Sequence, residues 1–442
     1  MLTPECDRLK ERIKTVLQKA SQLSVDAVEV SVSSSSGLSA SIRMGEVDVV
    51  EFTRDKSLTL TVYKGRQKGS ASTSDIRPEA LDSTLAAACQ ISQYTQSDPF
   101  SGLLETQFLA KDIPDCHLYH PTEVSPEQAI ELAKSCEDSA RAYDKRIINS
   151  DGATFSQLNH CYAYGNSNGF IGAYPSTQFS LSCVVVAKSS QGMERDYEYS
   201  VARDFQDLED KKLLGEQAAK RTLKRLDARQ IKTGQVPVIF SARLAGGFFG
   251  HFLSAISGGQ LYRKASFLLE SMDKKVFPNF LNIREEPHQL KGLGSAPFDS
   301  EGAATQPWYL VEEGILKSYV LSGYSARKLG LTTTGNCGGV HNVIVENQDK
   351  DLSALLKEMG KGLFVTELMG HGINLVTGDY SRGAFGYWVE GGEIQYPVHE
   401  ITIAGNLKEL FANLVAVGSD VDKRSSIQSG SVWVDRMTIA GA

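Results

Sequence analysis

Residues 363–406 read LFVTELMGHGINLVTGDYSRGAFGYWVEGGEIQYPVHEITIAGN, and this stretch decides how the C-terminal half folds. Glycine recurs at 370, 372, 378, 383, 386, 391, 392 and 405, and short β-branched and aromatic runs lie between. GYWVE and EIQYPV flank Gly391-Gly392, a pair able to take the positive φ angles of a two-residue hairpin turn. VTEL (365–368) reads as a strand. TGDYSRG (377–383) reads as a glycine-rich loop whose N–H groups can face a bound anion or peptide. On these residues alone the stretch is a β-rich binding surface.

Outward from it, the hydrophobic period alternates between helix and strand. Residues 5–23 pattern as an amphipathic helix, with Leu9, Ile13, Val16, Leu17 and Ala20 on one face. Strand patterns follow at 27–33, 38–43, 47–53, 57–63 and 67–73, with SSSS (33–36) read as a turn. Arg77-Pro78 opens a helix to about Gln93. After loop-like residues 95–124, Ser125-Pro126-Glu127-Gln128 supplies a serine N-cap with proline at the first helical position and glutamine at the third. That helix runs to about Tyr143, a second β-rich segment spans 147–201, and another helix spans 210–226. Its basic end (Lys220, Arg221, Lys224, Arg225) reads as a solvated face with cations at the carbonyl terminus. Beyond Lys232 glycine is frequent and only two long helical patterns remain, 242–257 and 353–360. The predicted division is an N-terminal α+β subdomain at 1–95, a second at 96–231 and a β-rich domain at 232–442. The fold class is α+β: two α/β-meander subdomains followed by a mostly antiparallel β domain.

A chain of 442 residues is long enough for two or three domains. Its net charge of −7 offers nothing to nucleic acid or an anionic membrane. The charged N-terminus lacks the apolar core of a signal peptide, and no apolar run is long enough to span a bilayer. The seven cysteines (6, 89, 116, 136, 161, 183, 337) are scattered, odd in number and free of CxxC, which reads as reduced thiols serving as small core residues in a cytosolic protein.

Several segments together resemble the TldD/PmbA family over nearly the whole chain, and within it the PmbA (TldE) branch. They are EFTRDKSLTLTVYKGRQKGSAST (51–73), VSPEQAIELA (124–133), GGQLYRKASFL (258–268), PFDSEG (297–302), YSARKLGL (324–331), residues 365–407 and RSSIQSGSV (424–432). The resemblance implies a cytoplasmic bacterial protein and one subunit of a heterodimeric metallopeptidase. The family is implicated in processing ribosomally made peptides, such as a microcin precursor, and in degrading an antitoxin. It also implies that the TldD-type subunit carries zinc on the two histidines of an HExxxH helix and a cysteine near the C-terminus. The motif glutamate is that subunit's general base.

In this sequence the aligned helix reads Gly250-His251-Phe252-Leu253-Ser254-Ala255. Gly250 stands for the first ligand, His251 for the glutamate, Ala255 for the second histidine and Ser429 for the cysteine. A peptidase zinc needs about three protein ligands and an open position, so the sequence predicts a pseudo-active-site helix and no metal in this chain. His251 then reads as a cavity-edge histidine and His371, between two glycines, as a wall residue. Cys337 and His341 form a CxxxH pair with no second half, weak both as a metal signal and as a Cys–His nucleophile. Glu367 and Asp379 flank the glycine-rich loop, and Asp299 and Glu301 sit in PFDSEG. These carboxylates allow an acid–base pair, but the two aspartates more readily hold turns.

The resulting expectation is a non-catalytic partner subunit with no cofactor of its own, zinc being held by a TldD-type metallopeptidase partner. It acts on unfolded peptides, contacts neither nucleic acid nor membrane, and forms a homodimer when alone. A substrate or partner surface is expected at Arg263, Lys264, His371, Asp379, Tyr380 and Arg382. The alternatives are a stand-alone hydrolase with an unrecognised site and a peptide-binding module without cleavage.

Overall fold

The computed structural model describes residues 3–441. Its first half repeats one unit, helix–three-strand meander–helix. The first copy is α1 (Pro4–Ala20), β1 (Ala27–Arg43), β2 (Glu46–Lys64), β3 (Gln67–Thr73) and α2 (Pro78–Tyr94). The second is α3 (Pro126–Ala142), β4 (Ile147–Asn166), β5 (Ile171–Lys188), β6 (Met193–Ala202) and α4 (Lys211–Lys224). Helix starts follow local chemistry. Ser125 and Gln128 close a capping box on α3, and Asp210 accepts from the Lys212 and Leu213 N–H groups of α4.

The two meanders share one antiparallel sheet of order β3-β2-β1-β4-β5-β6, joined where Glu29 to Ile42 of β1 pair with Asn166 to Ala153 of β4. The expected short strands at 27–33 and 38–43 are one strand, as are those at 47–53 and 57–63. Serines 33–36 are not a turn. Ser33 pairs with Ser57 and Tyr162, and Ser36 with Arg54 and Asn159, so strands on both sides satisfy the serine backbone. The turn falls instead at Met44-Gly45, both at positive φ. Val28, Val30, Val32, Leu38, Ala40 and Ile42 all point to one face of β1 and are buried there under the four helices. The opposite, more polar face meets the C-terminal half.

That half comprises β7 (Gly234–Phe240), α5 (Ala242–Ala255), α6 (Gly258–Tyr262), β8 (Ile283–Glu285), β9 (Trp308–Glu312), β10 (Ile315–Leu316), α7 (Gly323–Leu329), β11 (Val343–Val345), α8 (Leu352–Met359), β12 (Lys361–Ile373), β13 (Asp379–Glu390), β14 (Glu393–Asn406), α9 (Leu407–Ala412), β15 (Leu414–Val417), β16 (Ile427–Gln428) and β17 (Val432–Ala440). Strands run β14-β13-β12-β7-β17, and β17 pairs again with β14, so five strands close into a barrel with β15 on its flank. The β7–β12 and β11–β16 pairs are parallel and the others antiparallel. Gly391 and Gly392, at φ 63° and 78°, make the turn between β13 and β14. Most of TGDYSRG is not a loop. From Asp379 onward it is strand β13, whose backbone is committed to β12 and β14. Gly386 of this strand serves close strand approach: a Cβ there would lie 2.2 Å from the Phe364 carbonyl oxygen.

A small sheet, β10-β9-β8-β11-β16, completes this half. Among the described residues no helix is long and apolar enough to cross a membrane. Cys6 and Cys161 form a disulfide between α1 and β4, contrary to the reading of all seven cysteines as reduced thiols. They lie 155 residues apart in sequence, and only the packing of α1 across β4 brings them together.

Candidate functional site

Helix α5 leaves β7 through Ser241 and drives an aromatic face into the C-terminal core. Phe248, Phe249 and Phe252 are almost fully buried there, with Phe248 edge-on to Phe411 (5.2 Å) and Phe252 edge-on to Phe277 (5.0 Å). Gly246 and Gly250, one turn apart, let β16 lie close: a Cβ on either would contact Ile427 at 3.1 and 3.8 Å. Ala255 is fully buried. His251 is half-buried with its ring edge-on to Tyr380 at 5.9 Å. Burial, then the nearby Arg382 charge, pushes His251 below the ordinary histidine range, so it is neutral at physiological pH. Tyr380 is 2 % exposed, its hydroxyl has no hydrogen-bond partner among the described residues, and burial pushes its pKa up to about 12. Arg382 donates from Nε to the Met369 carbonyl (3.1 Å). Ser429 is buried and donates to the Gly430 carbonyl (3.0 Å).

His251, Tyr380 and Arg382 are therefore brought together. His371 and Asp379 lie on the same paired strands, β12 and β13, and Arg263 and Lys264 lie on a different element. Arg263 and Lys264 are exposed after α6, with the Arg263 guanidinium over its neighbour Tyr262 (5.4 Å). His371 is exposed near the tip of β12. Asp379 accepts from Thr377 Oγ1 (2.6 Å) and Asn406 Nδ2 (3.3 Å), tying down the turn before β13.

Cys337 and His341 do not pair. His341 Nδ1 lies 2.7 Å from Glu285 Oε1, and Glu285 also accepts from Asn336 Nδ2 (2.9 Å) and Trp308 Nε1 (3.0 Å). Burial alone would raise Glu285, but the hydrogen bonds from His341 and Asn336 outweigh it and hold the carboxylate below its usual range. This is a closed structural network. Burial, and then the carboxylates of Glu301 and Asp299, push the Cys337 thiol up, the opposite of what a nucleophile needs. Asp299 accepts the N–H groups of Glu301, Ala303 and Cys337 and holds their loop.

The family models for the PmbA/TldA metallopeptidase domain 1, central domain and C-terminal domain match residues 28–92, 119–226 and 233–441. Metalloprotease PmbA of Escherichia coli O157:H7 is 50 % identical over 433 residues, covering 98 % of this chain and 96 % of that one. The chain belongs to the PmbA/TldD metallopeptidase family. A Bacteroides thetaiotaomicron protein, solved as a candidate modulator of DNA gyrase, superposes with a TM-score of 0.93 at 29 % identity and full coverage of both chains. TldE from Thermococcus kodakarensis shares the fold, with a TM-score of 0.86 at 22 % identity over 97 % of this chain and 100 % of that one.

The zinc centre implied by the family resemblance does not fit the residues present. Gly250 and Ala255 offer no donor, the Ser429 hydroxyl is engaged with backbone, and His251 stands alone. Among the described residues no group of three or more His, Cys, Asp or Glu is placed to hold a metal ion. No reaction step is assigned to a metal in this chain.

This family member also carries a junction that the sequence reading missed. A cavity of about 980 Å³ separates α4 and β6 from the barrel, at the start of α5. Glu198, 4 % exposed, faces Arg243 (3.4 Å) and Arg424 (2.5 Å). Arg243 stacks on Tyr197 (4.1 Å) and Arg424 on Tyr199 (4.5 Å). Arg225 pairs with Glu367 (2.6 Å) and lies over Phe385 (3.8 Å). The basic end of α4 is thus only partly a solvated face: Lys220 and Lys224 are exposed, but Arg225 is buried between the halves. A legible signal existed. Glu194, Asp196 and Glu198 recur at period two on β6, and Arg221 and Arg225 lie one helical turn apart.

Proposed function

We propose that this chain is the non-catalytic subunit of a cytoplasmic metallopeptidase complex. Its partner is a TldD-type subunit that carries the zinc, and its substrates are small or unfolded peptides, including peptide-antibiotic precursors and antitoxins. The observation that carries this reading is the α5 helix, which keeps the family's helix but offers one metal donor, His251, where three functional groups are expected, with Ser429 at the cysteine position. The aromatic packing of α5 supports a helix retained for its place in the core. An open strand edge supports peptide or partner capture: β3 pairs with β2 only from Leu58 to Lys64, which leaves the outer edge of β2 at residues 46–57 free among the described strands. Val47, Val49 and Phe52 are exposed along it.

The reading is tested by metal analysis of the purified chain after dialysis against zinc. It expects substoichiometric zinc, unchanged in His251→Ala. Stoichiometric zinc that disappears in His251→Ala would overturn it.

A further inference from the structure

A second cavity, of about 830 Å³, lies between the polar face of the N-terminal sheet and the loops of the C-terminal half. Two carboxylates face it. Glu29 on β1 accepts from Tyr63 Oη (2.7 Å) and Tyr164 Oη (2.9 Å), and Glu301 accepts from the Gly323 N–H (2.7 Å). Neither has a cation at ion-pair distance among the described residues, and the neighbouring charges are already engaged. Arg327 donates to the carbonyls of Phe100, Gly102 and Leu103 and pairs with Glu105. Arg66 donates to the Ser101 carbonyl (3.2 Å), and Lys68 lies over the Tyr63 ring at 5.9 Å. Asp98 accepts from Tyr324 Oη (2.6 Å) and pairs with Lys328 (3.5 Å). Asp299 is held by backbone N–H groups, and the Cys337 thiol is neutral.

Ser101 adds an independent observation. It lines the same cavity, is 6 % exposed, and its hydroxyl has no hydrogen-bond partner among the described residues. Two carboxylates, an idle hydroxyl and the rings of Tyr63, Tyr162 and Tyr164 line the chamber, and its lining cations, Arg66 and Lys68, are turned to a carbonyl and a ring and pair with neither acid among the described residues. A metal ion is a poor match, because no three metal-ligating side chains converge among the described residues. An –NH₃⁺ group matches: its three donors suit two carboxylates and a hydroxyl, and tyrosine faces favour a cation.

We propose that this cleft binds a primary alkylammonium group between Glu29 and Glu301, with the tyrosine rings around its methylene stem. A free polyamine and a lysine side chain on a peptide present the same chemistry. Binding needs Glu301 ionised. Burial pushes its pKa up to about 7, so affinity rises about tenfold from pH 6 to pH 8 while an alkylammonium stays charged.

The test is calorimetric titration of the full chain at both pH values with 1,5-diaminopentane, N-acetyl-lysine N-methylamide and magnesium ion. The expected result is one saturable site for an amine, about tenfold tighter at pH 8. Binding should weaken at least about tenfold in Glu29→Gln and in Glu301→Gln, and stay unchanged in Lys408→Ala, an exposed residue of α9 outside the cavity. Binding of the diamine alone assigns a free polyamine, and binding of both assigns a peptide-borne lysine as well. Absence of amine binding, amine binding indifferent to pH and to both carboxamide variants, or a site that takes magnesium in place of either amine would overturn the proposal. The pH comparison on the unaltered chain decides the matter if either variant fails to fold.

Discussion

Glu301 is buried beside Asp299 and Glu29, and burial, with these acids, raises its carboxyl from 4.5 to about 7. Between those values the folded chain holds a proton that the unfolded chain has released. Stability therefore falls as pH rises from about 4.5 to 7, and the loss is complete above that. Glu301→Gln removes the penalty while keeping an acceptor for Gly323. It should raise the melting temperature at pH 8, by on the order of 2 kcal/mol in stability, and change little at pH 4.5. Equal effects at both pH values would contradict the assignment. Residue identity also sets what the lost metal positions tolerate. Gly250 has room for a Cβ at ordinary contact distance, whereas Ala255 is sealed in the core. Ala255→His should cost about 1–3 kcal/mol by overpacking, read as a lowered denaturant midpoint. The missing donors were legible in the sequence because chemistry is written in residue type. The Cys6–Cys161 bond was not, since it depends on how α1 crosses β4.

Among elements, the helices were easiest to read. The Ser125–Gln128 capping box and the apolar stripe of α1 are local signals, and local signals survive folding. Strand extent was harder. Serines 33–36 look like a turn in isolation but gain two pairing partners in the sheet, so tertiary pairing overrides weak propensity. TGDYSRG looks like a loop for a similar reason, although from Asp379 onward it is strand β13, and the next glycine, Gly386, lets β12 and β13 approach. Glycine thus has opposite meanings at two positions. Gly386→Ala puts a Cβ 2.2 Å from the Phe364 carbonyl oxygen and should destabilise by more than about 2 kcal/mol. Gly247→Ala, exposed on α5 with nothing within 4 Å of the new Cβ, should stabilise by about 0.5–1 kcal/mol. Urea unfolding of the two variants separates them, and shifts of the same sign would refute this account of the glycines.

At the scale of the whole molecule, two halves meet across two polar clefts. One is zipped by arginine, carboxylate and tyrosine around Glu198, and the other is lined by Glu29 and Glu301. The first was partly legible, as acids at period two on β6 and arginines one turn apart on α4. What the sequence withheld was that these faces oppose the barrel rather than water. Glu198→Ala leaves Arg243 without a carboxylate at ion-pair distance among the described residues, while Arg424 keeps Asp422, and should cost about 3 kcal/mol, seen as a lowered calorimetric transition. A cost below about 1 kcal/mol would mean that the junction is solvent-screened.

The α+β architecture and the family are shared with relatives named as metalloproteases, yet among the described residues of this chain no three metal-ligating side chains converge. The central claim concerns how the work is divided between two chains. The measurement that tests it most directly is hydrolysis of an unfolded peptide by this chain alone, by a TldD-type subunit alone and by the mixture, each with and without a chelator. The account predicts chelator-sensitive cleavage in the mixture and none by this chain alone. Cleavage by this chain alone, retained when trace partner has been removed, would contradict it.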